Sequence, residues 1–432
     1  MALGGGLWTS QNKVLPGAYI NFVSADRTGL NLSERGVCAI PMILDWGKDG
    51  EVFKVNSENV RKESFDVFGY DYSDEKMKPI REVFRRANTL YVYRLNSGEK
   101  ATNDFATALY SGTRGNEIKI VITANVDEPS KFDVYTLVDT KTVDTQTVKE
   151  AKELVANDFV TFKTDATLKE TAATPLAGGT NGDVTGDSHL KALKALETVA
   201  FNTLGCTSAE DDVKKLYAEH TKRMRDEVGA KFQTVIYKSP ADYIGVIDPT
   251  SKVIGADEQN IVYWLTGAEA GCNVNETLTN TKYDGEYMID TSLDQDELKT
   301  AIKNGELVFH KVGDEIHVLT DINSYVSFTK EMNEDFSINQ VVRVLDQIGN
   351  DIASLFNTSY LGKMQNDKSG RVSLWNDVVT IFGKLQDIRA IENFDSGAVT
   401  VDAGEDKRSV IVNATCQPTC AMEKLYMTVT VE

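Results

Sequence analysis

His189, His220, His310 and His317 are the chain's four histidines. His310 and His317 stand seven residues apart in "LVFHKVGDEIHVL", a hairpin pattern turning at Gly313-Asp314, so their rings would face each other across strands. A zinc site there needs a third ligand, for which Asp314 or Glu315 in the turn is a candidate, and the pair otherwise reads as exposed edge histidines. Cys416 and Cys420 have C-x3-C spacing without a second pair or a nearby His, so they read as loop or buried thiols. "AGGTNGDVTGD" brings Gly178, Gly179, Gly182 and Gly186 up to a helix start, as a phosphate loop would. Such a loop follows its last glycine with Lys and then Ser or Thr; here Asp187 and Ser188 follow, and an aspartate at a helix start repels phosphate. The stretch reads as a linker with a helix cap at Asp187 or Ser188. Asp183 and Asp187 lack the twelve-residue spacing of a calcium hand. No G-x-S-x-G elbow occurs, and no Ser has His and Asp at hand. Carboxylates are so abundant that paired acids cannot be told from a solvated acidic face. The expectation is no catalytic residue, no cofactor and no metal ligand.

Charge narrows the partners. Sixty-five acids against 46 bases give a net charge of −19, a surface that repels nucleic acid and anionic lipid. A hydrophobic content of 41% and a charged content of 26% are those of a globular protein, and 432 residues suffice for two to four domains. No apolar run reaches the length of a membrane span, so no direct membrane insertion is expected. The opening "MALGGGLWTSQNKVLPG" lacks the basic and apolar regions of a secretory signal, which predicts a cytoplasmic protein. Five scattered cysteines do not make a disulfide framework.

The elements that would have to position any site follow from periodicity. "AYINFVS" alternates Ala18, Ile20 and Phe22 against Tyr19, Asn21 and Val23, a strand pattern after a glycine-bearing arm. "GVCAIPMIL" reads as a strand buried on both faces, "SDEKMKPIREVFRRA" as a helix with Pro79 in its first turn, and "TLYVYRLN" as another strand. From about residue 115, "NEIKIVITANV", "KFDVYTLVD", "TVDTQTVK" and "DFVTFKT" are short Thr- and Val-rich segments between turns, the texture of an inserted β-sandwich. Helix and strand then alternate: "DSHLKALKALE" with Leu190, Leu193 and Leu196 on one side, "FNTLGCT", a charged helix, "KFQTVIYK", and "ADEQNIVYWLTGAEAG" with Ile261, Trp264 and Leu265 inward. The final third holds two long stripes. Val341, Leu345, Ile348, Ile352 and Leu355 form one, behind a capping-box spacing at Ser337 and Gln340; Leu374, Val378, Ile381, Leu385 and Ile388 form the other.

After three strand-like pieces the chain finishes in "KLYMTVTVE". A strand there exposes a row of backbone donors and acceptors, which must pair within its own sheet or with another chain. Five or six backbone hydrogen bonds contribute about 3–9 kcal/mol, and ordering seven residues costs a similar amount. Burying Leu425, Met427, Val429 and Val431 along one face would add roughly 1.5–3 kcal/mol each and decide for docking. The pattern alone leaves an internal strand equally open.

The stretches "LPGAYINFVS", "RGVCAIPMILDWG", "TLYVYRLNSGEKA", "LYSGTRGNEIKI", "PLAGGTNG", "NEDFSINQVVRVLDQIGNDIASLFNTSYLGK" and "RVSLWNDVVTIFGKLQDIRAIENF" resemble the tail sheath proteins of contractile phage tails and of phage-tail-like bacteriocins of Gram-positive bacteria. The resemblance runs from about residue 10 onward, most specifically in the final third. It implies a multidomain α/β and α+β fold with an N-terminal arm at 1–23, an α/β domain at 24–98, an inserted β-sandwich at 99–180, a subtilisin-like but non-catalytic α/β domain at 181–328, and a C-terminal domain at 329–432. In that last domain, helices pack on a sheet completed by terminal arms of neighbours. The implied function is a structural subunit that polymerises as stacked hexameric rings around a tail tube and contracts from a metastable state to drive the tube through a bacterial envelope. Implied partners are further copies of itself, the tail tube protein, and baseplate and tail-terminator proteins. Assembly would take place in the host cytoplasm and the product would be part of a virion or phage-like particle. Ala18, Ile20 and Phe22, with Leu425, Met427, Val429 and Val431, are the expected residues of inter-subunit strand addition. A passive tail protein and a subtilisin-like hydrolase are the competing readings.

Overall fold

In the computed structural model, which describes residues 32–431, the apolar run forms β1 (Val37–Met42), buried along nearly its whole length. β2 (Val52–Asn56), α1 (Val60–Phe68), α2 (Lys78–Val83) and β3 (Thr89–Arg94) follow. Pro79 lies in the first turn of α2, where a missing N–H costs nothing. β3 runs parallel to β1 and antiparallel to β2.

The Thr- and Val-rich region folds as β4 (Ala106–Ala108), β5 (Ile118–Ala124), β6 (Phe132–Val138), β7 (Lys141–Val148), β8 (Val160–Phe162) and β9 (Thr171–Pro175). β7-β6-β5-β9 form one antiparallel sheet and β4 pairs with β8. Period-two alternation turns Ile118, Ile120 and Ile122 inward to meet Val134, Val138, Phe159 and Trp46. The insert is thus a β-sandwich, as its texture predicts. The glycine-rich return is packed backbone. Gly182 has φ 68°, and a Cβ there would lie 2.1 Å from the Ser97 carbonyl oxygen. Glycine serves close approach of two chains here, not a phosphate.

Next come α3 (Gly186–Leu196), β10 (Thr203–Cys206), α4 (Asp211–Arg223), β11 (Gln233–Ile236), β12 (Val246–Pro249) and β13 (Val253–Ile254). α5 (Ile261–Gly271), β14 (Met288–Ile289), α6 (Gln295–Lys303) and β15 (Glu306–Leu307) follow, then the hairpin β16 (Phe309–Val312) and β17 (Glu315–Val318). The N-cap of α3 is Thr185 rather than Asp187 or Ser188, and its N–H donates to Ser188 Oγ at 3.2 Å. Leu190 is exposed on that helix, which turns Ala192, Leu193 and Leu196 inward instead.

Among the described residues the central sheet has the order β15-β12-β11-β10-β1-β3-β2. β1 pairs in parallel with β10, so the segments read from sequence as separate α/β regions, 24–98 and 181–328, share one sheet. An apolar run announces a strand buried on both faces but says nothing of which strands take its two edges. On one face Cys38, Ile40 and Met42 pack with Leu90, Val92 and Ala270 of α5. On the other, Ala39 meets Leu193 and Leu196 of α3 and Tyr217 of α4. Ile261, Trp264 and Leu265 are fully buried, and the Trp264 ring meets Tyr283 and Phe309 edge-on at 5.2 and 5.8 Å.

The final third contains α7 (Asn339–Leu355), α8 (Lys368–Asp387), β18 (Ile391–Glu392), β19 (Thr400–Ala403), β20 (Val410–Asn413) and β21 (Gln417–Pro418). Leu374, Val378, Ile381 and Leu385 of α8 are buried as their spacing predicts, while Ile388 sits past the helix end and is partly exposed. The capping box does not form. α7 begins after Ile338, and Ser337 Oγ donates back to the Glu334 carbonyl at 2.7 Å.

One buried carboxyl gives this fold a pH signature. Asp248 in β12 is 2% exposed and accepts the Ser239 N–H at 2.7 Å. Burial raises its pKa to about 7 against the opposing pull of that bond. The folded-state value lies above the unfolded one, so the folded chain holds an extra proton between them. Its contribution is complete below the unfolded pKa and is lost as pH rises toward 7. Urea unfolding of wild type should therefore weaken by a few kcal/mol from about pH 4 to 7, and Asp248→Asn should remove that part of the slope. An unchanged slope in the variant would contradict the assignment.

Candidate assembly interface

The helix that organises the final third is α7. Val344, Ile348, Ile352 and Leu355 pack into a core with Leu374, Val378 and Ile381 of α8; the last three of these α7 residues are those the stripe predicts, but Val344 stands in place of Val341 and Leu345, which lie outside this core. The helix also buries polar side chains around the rest of its surface: Asn339, Arg343, Asp346, Gln347 and Asp351. Charges removed from water must be paired, and these are. Arg343 is 1% exposed; its Nη1 donates to Glu269 Oε2 of α5 and its Nη2 to Asp321 Oδ2, each at 2.5 Å. Asn339 Nδ2 reaches Asp321 Oδ1 at 2.8 Å, and Asn339 Oδ1 accepts Gln233 Nε2 of β11 at 2.8 Å. One helical turn beyond Arg343, Asp346 takes a two-pronged bond from Arg225, at 2.6 and 2.7 Å. α7 is thereby bolted to the central sheet by directional contacts.

The two carboxyls of this cluster ionise differently. Burial, then repulsion from Asp321, raises Glu269 well above the usual range. Burial pushes Asp321 upward too, but the Arg343 charge and the Leu278 N–H outweigh it, and its pKa falls below normal. The opposed shifts favour the proton on Glu269 and the charge on Asp321, with Arg343 between them. Burial and the neighbouring Arg343 lower Arg35 to about 10. Its guanidinium donates to the carbonyls of Cys272 at 2.7 Å and Glu269 at 2.9 Å. Composition and motif spacing pass over this cluster. The signal available was Arg343 inside the apolar run "VVRVL", a charge that should have been solvated.

Around α7 and α8 lie two short sheets, β18 with β21 and β19 with β20, both antiparallel. Each of these strands has an unpaired edge among the described residues. Val401, Val410 and Val412 turn onto the α8 core. A groove of about 380 Å³ includes Phe356, Tyr360, Leu361, Met364, Leu374 and Val410, with Arg371, Lys407 and Arg408 also lining it. Leu361, Met364, Val372 and Ile411 are exposed nearby.

The segment after β21 is tied down as far as Glu423. Thr419 N donates to the Ala390 carbonyl at 3.0 Å, Ala421 N donates to Gln340 Oε1 at 3.0 Å, and Glu423 Oε1 accepts Thr279 Oγ1 at 2.7 Å. From Lys424 to Val431 there is no strand pairing among the described residues. Leu425, Met427, Val429 and Val431 are 86%, 75%, 69% and 89% exposed. Ala18, Ile20 and Phe22 lie outside the described residues.

The other candidates stand apart from this region. His310 and His317 are register partners across the hairpin, and His317 Nδ1 lies 2.7 Å from the Asn280 carbonyl oxygen. Among the described residues no three His, Cys, Asp or Glu side chains group as metal ligands. Cys416 is half-buried and Cys420 exposed, both as free thiols.

Four family descriptions match successive parts of the chain. They are the tail sheath protein Gp18 domain III N-terminal region (35–95), the phage tail sheath protein beta-sandwich domain (96–181), the phage tail sheath protein central domain (182–324) and the phage tail sheath C-terminal domain (331–432). The crystal structure of a sheath tail protein from Desulfitobacterium hafniense is 37% identical with a TM-score of 0.84, over 95% of this chain and 99% of that one. The phage-like element PBSX protein XkdK of Bacillus subtilis is 32% identical over 99% of both chains. The helical sheath of the anti-feeding prophage, in its contracted state, shares the fold alone: TM-score 0.54 and 11% identity over 96% of this chain and 98% of that one.

The buried cluster makes a sharp prediction about charge. Arg343→Met leaves Asp321 ionised and unpaired, and should cost about 3–5 kcal/mol in urea unfolding. Glu269→Gln copies the protonated carboxyl and should cost less than about 1 kcal/mol. Equal losses in the two variants would mean that Glu269 is ionised.

Proposed function

This chain belongs to the phage tail sheath proteins, and we propose that it builds its sheath by lending chain ends to neighbouring copies as added strands. The observation that carries this reading is segment 424–431. It alternates apolar and polar residues, exposes Leu425, Met427, Val429 and Val431, and has no strand partner among the described residues. It follows a unit whose short sheets leave edges open. Strand addition satisfies both, since the lent strand supplies the ladder and its apolar face covers exposed surface. The groove beside Val410, with Leu361 and Met364 exposed at its wall, is a fitting receiver. "AYINFVS", with Ala18, Ile20 and Phe22, would contribute a second strand in the same manner.

In this reading, subunits form hexameric rings stacked helically around a tail tube, between a baseplate and a tail terminator, in the cytoplasm of a bacterial host. The parts at 24–98 and 181–328 move as one piece because they share the central sheet. The subtilisin likeness implied for 181–328 would be a likeness of fold without proteolysis. The extended lattice is metastable. Contraction re-seats rigid subunits into a lattice with more contact, while lent strands persist as hinges, and the tube is driven through the envelope. The energy is stored at assembly in bistable packed interfaces, and no nucleotide is spent. The fold shared with a helical sheath captured in a contracted state supports the same architecture.

Electron microscopy of the purified protein tests the reading. Wild type should form wide hollow tubes. Deletion of 424–432 should leave a monomer with the wild-type unfolding temperature and no tubes; Val429→Pro, which removes one ladder donor, should raise the concentration needed for tubes at least about tenfold. A deletion variant that fails to fold would show that the segment is an internal strand.

A further inference from the structure

Both lent ends are rooted on the same helix. On the side of the N-terminal arm, the first anchor among the described residues is Ser33, ten residues beyond the arm's expected end. Its Oγ donates to Asp351 Oδ1 at 2.6 Å, its N–H donates to the same oxygen at 3.2 Å, and Gln347 Nε2 donates to Ser33 Oγ at 2.7 Å. Asp351 and Gln347 belong to the second half of α7 and are buried. Two residues on, Arg35 holds the carbonyls of Glu269 and Cys272 at the end of α5.

The root of the C-terminal arm lies at the other end of α7. Gln340, in its first turn, accepts the Ala421 N–H at 3.0 Å. Glu423 accepts Thr279 Oγ1 at 2.7 Å and Thr320 Oγ1 at 3.2 Å. Thr279 Oγ1 also accepts the Asp321 N–H at 2.9 Å, and Asp321 is the carboxylate gripped by Arg343 of α7. A bonded path therefore runs from Ser33 through Asp351, along α7 to Arg343, and through Asp321 and Thr279 to Glu423. The two roots stand eleven residues apart on the helix, about 16 Å along its axis.

We infer that α7 is a force-transmitting strut: pull on one lent arm reaches the other through this helix, and the polar pins at Ser33 and Glu423 are where load enters and leaves. The inference rests on the strand-lending reading above. Hydrogen-bonded pins suit the task because they resist displacement in a set direction, whereas apolar contacts slide at little cost. The helix suits it because its buried charges fix it to the sheet. Links loaded in series yield at the weakest member, which separates this arrangement from two independent anchors.

The test uses full-length wild type, Ser33→Ala, Glu423→Ala and the double variant. Ser33 and Glu423 are both exposed, so monomer folding should be spared. Assembled tubes are stretched end to end by atomic force microscopy. Each single variant should lower the rupture force at least about twofold, with an unchanged monomer unfolding temperature, and the double variant should break no earlier than the weaker single. Thr279→Val, which cuts the Glu423 pin from the opposite side, should match Glu423→Ala. Wild-type rupture forces in the variants, or single losses that add in the double, overturn the inference. So does a fall in monomer unfolding temperature with unchanged rupture force, which would assign the pins to internal stability. Wild type that forms no tubes defeats the strand-lending reading as well, whereas tubes with unaltered strength defeat the strut alone.

Discussion

A guanidinium that is 1% exposed cannot be served by water, so the protein around Arg343 must keep Glu269 and Asp321 within bonding reach. Those carboxyls come from α5 and from the loop after β17, and Arg343 itself from α7. Three parts of the chain, distant in sequence, are thereby held in one geometry. Apolar packing alone would tolerate several relative positions of α7 on the sheet; a buried cation with two acceptors tolerates one. The cost is desolvation of every charge involved, and a well-packed apolar substitute would give equal or greater stability. What the ion cluster adds is a single seating.

The same device recurs at two other junctions. Arg225 joins α7 to the end of α4 through Asp346. The β-sandwich is fixed to the sheet by Arg94, which donates to the carbonyls of Gly47 and Ser111 at 2.9 Å each, and by Arg114, which donates to the Gly69 carbonyl and to both oxygens of Asp139. Apolar clusters fill the interior of each part, and Trp46 joins the sandwich core from outside it, while arginines add directional bonds between parts. In the proposed function the subunit moves as a body against its neighbours, and this division suits that task. Strain applied at the surface is passed on, not absorbed by sliding within the chain.

Much of this was legible in sequence because one-dimensional patterns report one-dimensional facts. The α8 stripe from Leu374 to Leu385, the buried β1, the Thr- and Val-rich insert and the hairpin turning at Gly313 are set by which faces are apolar, and each took its expected form. Pairing partners were not legible. That β1 lies between β3 and β10 depends on a crossover spanning more than a hundred residues, and no local pattern encodes it. Side-chain economy was misread where a polar residue had a distant employer. Gln340 looked like half of a capping box, but its amide oxygen takes Ala421 N instead. Arg343 and Asp346 stand off the apolar stripe and are buried all the same, because their partners, Glu269 and Arg225, lie on other elements. Leu190 sits on the solvent side because the Leu193 and Leu196 face already fills the space above Ala39.

The open edges pose the remaining energetic question. A two-stranded sheet of four residues a side is marginal alone, and β19 with β20 has only the α8 core beneath it. A third strand along either edge would convert a marginal ladder into an ordinary one and would bring its own apolar face. A net charge of −19 pushes copies apart once they approach within the screening distance, so contacts made face to face must overcome that repulsion everywhere at once. A lent strand overcomes it locally, along seven or eight residues, with hydrogen bonds whose register also fixes which copy sits where. Once such links exist, the remaining faces can exchange partners without the subunits separating. In the proposed assembly, that is how one lattice can be traded for another.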